Sequence, residues 1–558
     1  MRVLSLYLIS SFVLLQIGDI TFEPLGLPDW AMRVLIAALL IGLPTTLILA
    51  WLFDITPDGV VRTDIHTAAH HTFGTARKIE IAVIVLLAAS LAYFMSRELS
   101  PEQATSMSVR SVAVLPFLDI SPENNHLARG LTAELTNTLA AIPDLHVASY
   151  SLSLLSGGLS DLEIARTLNV ANLVKGSVQQ MAQTLRVGAQ VVRAQDSKVL
   201  WSYQVDRQIE DVFAIQDEIA NNVARNLKST LYREALSVNA QRRTDNIAAY
   251  EAYLMALHHR LAGWPKVLEH AERAAAIDPE FVPAHTLVAN VYLRRVGGLI
   301  PFKEAYPLAR ASAETALSLD PDYAPALVVK AHLQRMARDY EGAEALFKRA
   351  KALAPNMPPR DLANFLVMMG RVDEALVEYQ RALEIDPLDP GFYLSALFNS
   401  GAHQQAIEFL TPLALTGPPR ARANDSATMA VWQVRLGNTS EADRWLDIAQ
   451  KEVDRANSTV ARGLLTYALA KRGRVEAARK QIARLEEMQQ RLYVSPIGLF
   501  WGYYGLGDLE RAFLLLNRAV DENVFMLLME LKTSPAFDDI RGDLRFVNVL
   551  ERLNLNEA

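Results

Sequence analysis

The residues best placed to do chemistry stand at positions 112–135, VAVLPFLDISPENNHLARGLTAEL, where an apolar run breaks into an acidic loop and a helical pattern follows. Strand, loop and helix in that order open many α/β active sites. Asp119 and Glu123 lie in the loop, and a carboxylate at a strand end can act as a base or a metal ligand. A phosphate site is excluded on other grounds: it needs glycines in this first loop so that backbone amides can reach the anion. Residues 118–125 contain no glycine, and two carboxylates repel a phosphate. No second ligand or base clusters with Asp119 in the sequence. The loop therefore reads as a partner-binding candidate, through Asp119 and Glu123, and not as a catalytic one. Farther upstream, His66 and His70 are one helical turn apart, with His71 beside them. Asp64 is the carboxylate of that short run and the chain has no cysteine, so a solvated loop is expected there, not a metal site. Glu210, Asp211, Asp217 and Glu218 fit the first turn and solvent face of a helix. No catalytic residue, cofactor or metal is expected, and the chain does not read as an enzyme.

The whole chain bounds the rest. Its 558 residues are too many for one ordinary domain. A net charge of −7 argues against a nucleic-acid partner, which calls for a basic face. The absence of cysteine removes disulfides, thiolate zinc sites and cysteine nucleophiles together. An apolar share of 51% directs attention to the membrane.

Three N-terminal stretches, 3–21, 32–53 and 79–96, are expected to be transmembrane helices. Residues 34–53 carry no charge, and about twenty helical residues reach the roughly 30 Å of a hydrocarbon layer. Arg2, Arg62, Arg77 and Lys78 fall on one side of three spans, against Arg33, Arg97 and Arg110 on the other. This bias places the N-terminus inside and the C-terminal bulk outside a bacterial cytoplasmic membrane, in the periplasm. Residues 1–97 are thus a membrane anchor and 98–107 a linker.

From 108 to 230 the pattern changes to β-α-β-α-β-β-β-α, an α+β domain. SVAVLPF is a buried-strand run, and Leu127, Leu131, Leu135 and Leu139 recur every four residues along the first helix. Gly130, inside that helix, is expected to pack closely on the sheet. Ser160 and Glu163 form a capping box for the second helix. The motifs SVAVLPF, GLTAELTNTLAAIPDLHVAS, IARTLNVANLVKGSVQ, LRVGAQVVRA, LWSYQVDR and DVFAIQDEIA, in this order, resemble the α/β domain related to the amino-terminal domain of TolB and to FlgO. That domain is common in membrane-anchored bacterial tetratricopeptide proteins, and the resemblance implies the same architecture here. Some relatives carry a cyclase or winged-helix module before the anchor; only Met1 and Arg2 precede the first span here, so those roles are not carried over. Tyr150, Lys175 and Gln183 also depart from the residues usual in relatives.

Residues 231–246 read as a linker and 247–555 as an all-α solenoid. AAAIDPEFVPA returns as ALSLDPDYAPA and ALEIDPLDP. A glycine followed five residues later by alanine recurs in Gly370 and Ala375, Gly401 and Ala406, Gly437 and Ala442, Gly473 and Ala478, and Gly507 and Ala512. The spacing resembles tetratricopeptide repeats, whose period is about 34. The small residues are expected where two antiparallel helices approach closely, with Tyr379, Trp445 and Phe513 filling the layer between units. Such arrays bind protein segments along an extended face. The closing stretch SPAFDDIRGDLRFVNVLERLNL reads as a cap. The function expected is a non-catalytic, membrane-anchored scaffold for unidentified protein partners, without cofactor; the competing reading is a regulatory sensor whose output lies in another protein.

Overall fold

The computed structural model describes residues 110–120, 125–140, 142, 145–148, 159–181, 184–208, 211–227, 244–259, 263–295, 300–386, 389–491 and 493–556, with short stretches at 7, 10–16, 39, 53–56 and 59–62. Contacts divide the chain into Met1–Ser106 and Met107–Ala558.

In the first unit, residues 10–16 are helical and Tyr7 donates its hydroxyl hydrogen to the Leu39 carbonyl at 2.7 Å. Strands β1 (Phe53–Thr56) and β2 (Gly59–Arg62) pair antiparallel. Among the described residues no helix is long and apolar enough to cross a membrane. The stretches 79–96, most of 32–53 and much of 3–21 lie outside the described residues, as do His66, His70 and His71. Phe53, expected at the end of the second span, is instead the first residue of β1.

The second unit begins with an α/β layer. Its strands are β3 (Ser111–Val114), β4 (Leu118–Asp119), β5 (His146–Val147), β6 (Asn172–Met181), β7 (Thr184–Arg193) and β8 (Lys198–Gln208). The sheet order is β5-β3-β6-β7-β8, with β4 beside β6. Helices α1 (Asn125–Ala140), α2 (Asp161–Thr167) and α3 (Val212–Asn226) complete it. The parallel strand β3 is buried on both faces, as its unbroken SVAV run requires. Val112 and Val114 join a core with Leu131, Leu135 and Leu139 of α1; Ala113 joins one with Ile164 and Ala165 of α2. In the antiparallel half the pattern alternates: Leu185, Val187, Ala189 and Val191 of β7 are buried. Ser160 caps α2 with the reciprocal Glu163 bond.

Eight helical hairpins follow among the described residues. They are α4 (Ile247–His258) with α5 (Trp264–Ile277), α6 (Val282–Arg295) with α7 (Phe302–Leu319), α8 (Ala324–Met336) with α9 (Tyr340–Leu353) and α10 (Arg360–Met368) with α11 (Val372–Ile385). The others are α12 (Tyr393–Asn399) with α13 (His403–Thr416), α14 (Pro419–Arg435) with α15 (Thr439–Ala456), α16 (Thr459–Lys471) with α17 (Val475–Gln489), and α18 (Pro496–Gly505) with α19 (Leu509–Asp521). A short helix α20 (Phe525–Leu528), a 3-10 turn (Pro535–Ile540) and α21 (Leu544–Arg552) end the chain. First helices also pack on first helices of neighbouring hairpins, α6 on α8, α14 on α16 and α16 on α18.

The α/β layer and the array share one core. The Tyr250 hydroxyl of α4 donates to Gln216 Oε1 at 3.0 Å, and Gln216 Nε2 donates to Thr138 at 3.0 Å. A Cβ at Gly130 would strike the Leu254 side chain of α4. The crowding expected from the sheet therefore comes from the first helix of the array. Asn356 adds a second tie, its Nδ2 donating to the carbonyls of Ala140, Ile142 and Leu145 at 3.0, 2.7 and 2.9 Å.

Candidate interaction face

Five hairpin turns among the described residues expose why glycine recurs there. After α14, the Gly437 N–H donates to Val434 O at 3.1 Å and the Asn438 N–H to Gln433 O at 3.0 Å. This Schellman closure needs a left-handed residue in the middle. Gly437 has φ +72°, and a Cβ there would meet nothing within 4 Å. Gly370, Gly401, Gly473 and Gly507 share the left-handed backbone, with φ from +77° to +97°. The expectation that these glycines let helices approach is therefore corrected: open space surrounds Gly401, Gly437, Gly473 and Gly507, and their requirement is conformational. Close approach belongs to glycines within helices. A Cβ at Gly463 of α16 or Gly498 of α18 would collide with the other helix's backbone. Nothing in the sequence period singles these out.

Ala375, Ala406, Ala442, Ala478 and Ala512 are all buried in the second helices, as are Tyr379, Trp445 and Phe513. Asp119 lies in β4, paired opposite Val178 of β6. Glu123, the other loop carboxylate, lies outside the described residues. Among the described residues no group of three or more His, Asp or Glu side chains could hold a metal ion.

The turn after α8 breaks the glycine rule. Arg338 occupies the equivalent position with φ +67°, a conformation costing a side-chain-bearing residue roughly 1–2 kcal/mol. Its guanidinium donates to Asn523 Oδ1 at 2.9 Å and to the Val520 carbonyl at 3.4 Å. The strained residue is thus a clasp on the C-terminal segment.

That segment runs along the C-terminal ends of the first helices. Phe525 lies over Arg335 of α8, its ring centre 4.1 Å from the guanidinium carbon, and 6.0 Å from the His332 ring. Lys532 lies beside Gly370, at the end of α10. Tyr504 of α18 donates to the Ala536 carbonyl at 2.7 Å, and Lys471 of α16 pairs with Asp539 at 3.4 Å. Phe537 is fully buried among Phe500, Trp501 and Tyr504. Val524, Leu527, Leu528, Met529, Leu531 and Ile540 are buried too. The stretch expected to be a terminal cap does cap α19 through α21. Residues 524–540 do more, running across the C-terminal ends of first helices from α8 to α18.

Electrostatically the cover is imperfect. Arg335 is 1% exposed, yet its Nε and Nη1 have no hydrogen-bond partner. Burial pulls its guanidinium down to about 9. His332 is also pulled down by burial, against its 2.9 Å contact with Asp361. For Asp361 burial acts upward, but Arg294 and the His332 bond outweigh it and hold the carboxyl well below the usual range. Burial pushes Glu530 up to about 7, with Arg435 only partly opposing.

The second helices offer a contrast. A cleft of about 420 Å³ opens between α9 and α11, lined by Lys348, Lys351, Leu366, Arg371 and Glu378 among others. Its cations are largely satisfied: Lys351 meets Glu378 at 2.6 Å, and Arg371 meets Glu344 at 2.7 Å and Glu374 at 2.6 Å. These half-buried pairs leave little charge for a ligand.

No protein-family model matches the chain. A Rhizobium meliloti (strain 1021) protein, "Putative adenylate cyclase 3", is 28% identical over 194 residues, covering 33% of this chain and 32% of that protein. The chain therefore spans about a third of that relative's length. A solved structure of a thermophilic TPR protein of Thermus thermophilus is 25% identical over 34% of this chain and 95% of its own, with a TM-score of 0.24. The TPR domain of P58(IPK) is 13% identical over 55% of this chain and 97% of its own, with a TM-score of 0.17. The repeat itself is visible in the chain's own hairpins and turns.

Proposed function

We propose that this chain is a non-catalytic scaffold that binds a protein partner through the first-helix face of its repeat array. The observation that carries the reading is the continuous row of first-helix ends from α8 to α18, rich in buried aromatic side chains and already bearing a peptide-like segment of the chain itself. Apolar stretches 3–21, 32–53 and 79–96 support a bacterial cytoplasmic-membrane anchor, with the α/β unit and array on the periplasmic side. A photo-crosslinking residue placed along the first helices in living cells should yield a discrete partner adduct, and one placed along the second helices should not. Adducts independent of helix would defeat the reading. A C-terminal alkaline phosphatase fusion should be active; an inactive one would reverse the topology.

The similarity to a cyclase-named protein favours a second reading, a signalling or regulatory sensor whose output is supplied by another protein. Cyclic nucleotide made by the purified chain itself would overturn the non-catalytic assignment.

A further inference from the structure

Two features of the covered face are unexplained by a merely structural C-terminus. Arg335 is buried with two guanidinium nitrogens that meet no acceptor, although buried charges are ordinarily paired and hydrogen-bonded. Arg338 keeps a strained backbone where other turns use glycine, and its side chain is spent on Asn523 and Val520 at the start of the segment. The segment meets Arg335 with an aromatic ring, which satisfies the cation's face but not its N–H groups. The rest of the segment is a good fit: Phe537 and Leu531 are fully buried. The face therefore matches its resident in apolar shape and mismatches it in hydrogen bonding at Arg335.

We infer that residues 524–540 are a displaceable occupant of the first-helix face, and that the partner replacing them is a protein segment of similar apolar character with a carboxylate where this chain has Phe525. A carboxylate there receives the Arg335 N–H groups that the phenyl ring leaves unmet, in the geometry that guanidinium favours. The resident segment keeps the face covered until such a segment arrives, and Arg338 releases Asn523 as it leaves. This rests on the reading of the array as the partner-binding surface and names the chemistry of that partner.

The test uses the full chain carrying Asn523→Gly, which removes the shorter of the two Arg338 hydrogen bonds while suiting a backbone whose φ is +49°. Two labelled peptides are titrated into it, one of residues 522–541 and one of the same sequence with Phe525→Glu. The Phe525→Glu peptide should bind at least about tenfold more tightly, and should raise hydrogen exchange in the chain's own residues 524–540. Arg335→Met in the chain should erase the preference. Equal binding, no binding of either peptide, or a preference that survives Arg335→Met overturns the inference. If photo-crosslinks still fall on the first helices after such a result, the array remains an interaction surface and the carboxylate chemistry alone is wrong.

Discussion

Replacing Arg335 with methionine should make the chain more stable, although it removes a fully buried charged side chain. At 1% exposure the guanidinium has left water behind, and Nε and Nη1 have gained nothing in return. Burial lowers its pKa from 12.5 to about 9, which at 1.36 kcal/mol for each pH unit is a penalty of up to about 5 kcal/mol. For a base pulled down, that penalty is present in full below about pH 9 and is relieved only above it, so it operates at neutral pH. Stacking on Phe525 returns about 1–2 kcal/mol. Methionine keeps the alkyl stem and a sulfur contact with the ring worth about 0.3–1.5 kcal/mol. The net expectation is a gain of about 1–3 kcal/mol, in line with the replacement of other buried charges by apolar residues. Thermal unfolding of the array should shift upward by about 2 °C or more, and partner or peptide binding should fall. A lower midpoint would mean that Arg335 is satisfied in the folded chain, and the case for a waiting polar site would collapse.

Gly437→Ala should cost about 1–2 kcal/mol through its left-handed backbone, and Gly437→Asn distinctly less; Gly498→Ala, which drives a methyl into the α16 backbone, should lower the thermal midpoint further than either. Glu530 has a raised pKa of about 7, so its penalty is absent below its unfolded value and complete above about pH 7. Acidification from pH 8 to 5 should therefore slow hydrogen exchange of the segment by more than the fall in the intrinsic amide rate, and Glu530→Gln should remove that excess. Asn356→Ala strips three carbonyls of their donor at about 1–3 kcal/mol for each that stays dry. Exchange at residues 145–148 should then rise well before the array melts.

The hairpin period was legible because each turn repeats the same backbone need. Gly437 and its counterparts are written into the sequence at intervals near 34, and the buried alanines five residues on follow them. The reason was not legible: a glycine that permits close packing and one that permits φ above zero look the same in a sequence. Gly463 and Gly498, where helices do touch, carry no periodic signal. The α/β strands were readable from alternation in β7 and from the unbroken run in β3. The shared core was not, because Gly130 and Leu254 are 124 positions apart and contact only once both elements are folded. The covered face was hidden for a similar reason. ENVFMLLMELKTSPAFDDI reads as the apolar end of a chain, and nothing local says that it lies across helices beginning almost two hundred residues earlier. Arg338 could have been a clue, since it stands where the period calls for glycine.

Displacement of residues 524–540 is the property most directly open to measurement. Hydrogen exchange of the full chain near neutral pH resolves the segment from the helices beneath it. A displaceable occupant predicts that 524–540 exchanges through an opening that leaves α14, α16 and α18 protected, with rates at least about tenfold faster than theirs. Exchange of the segment and those helices together, only through unfolding of the whole array, would make it ordinary core and contradict the account.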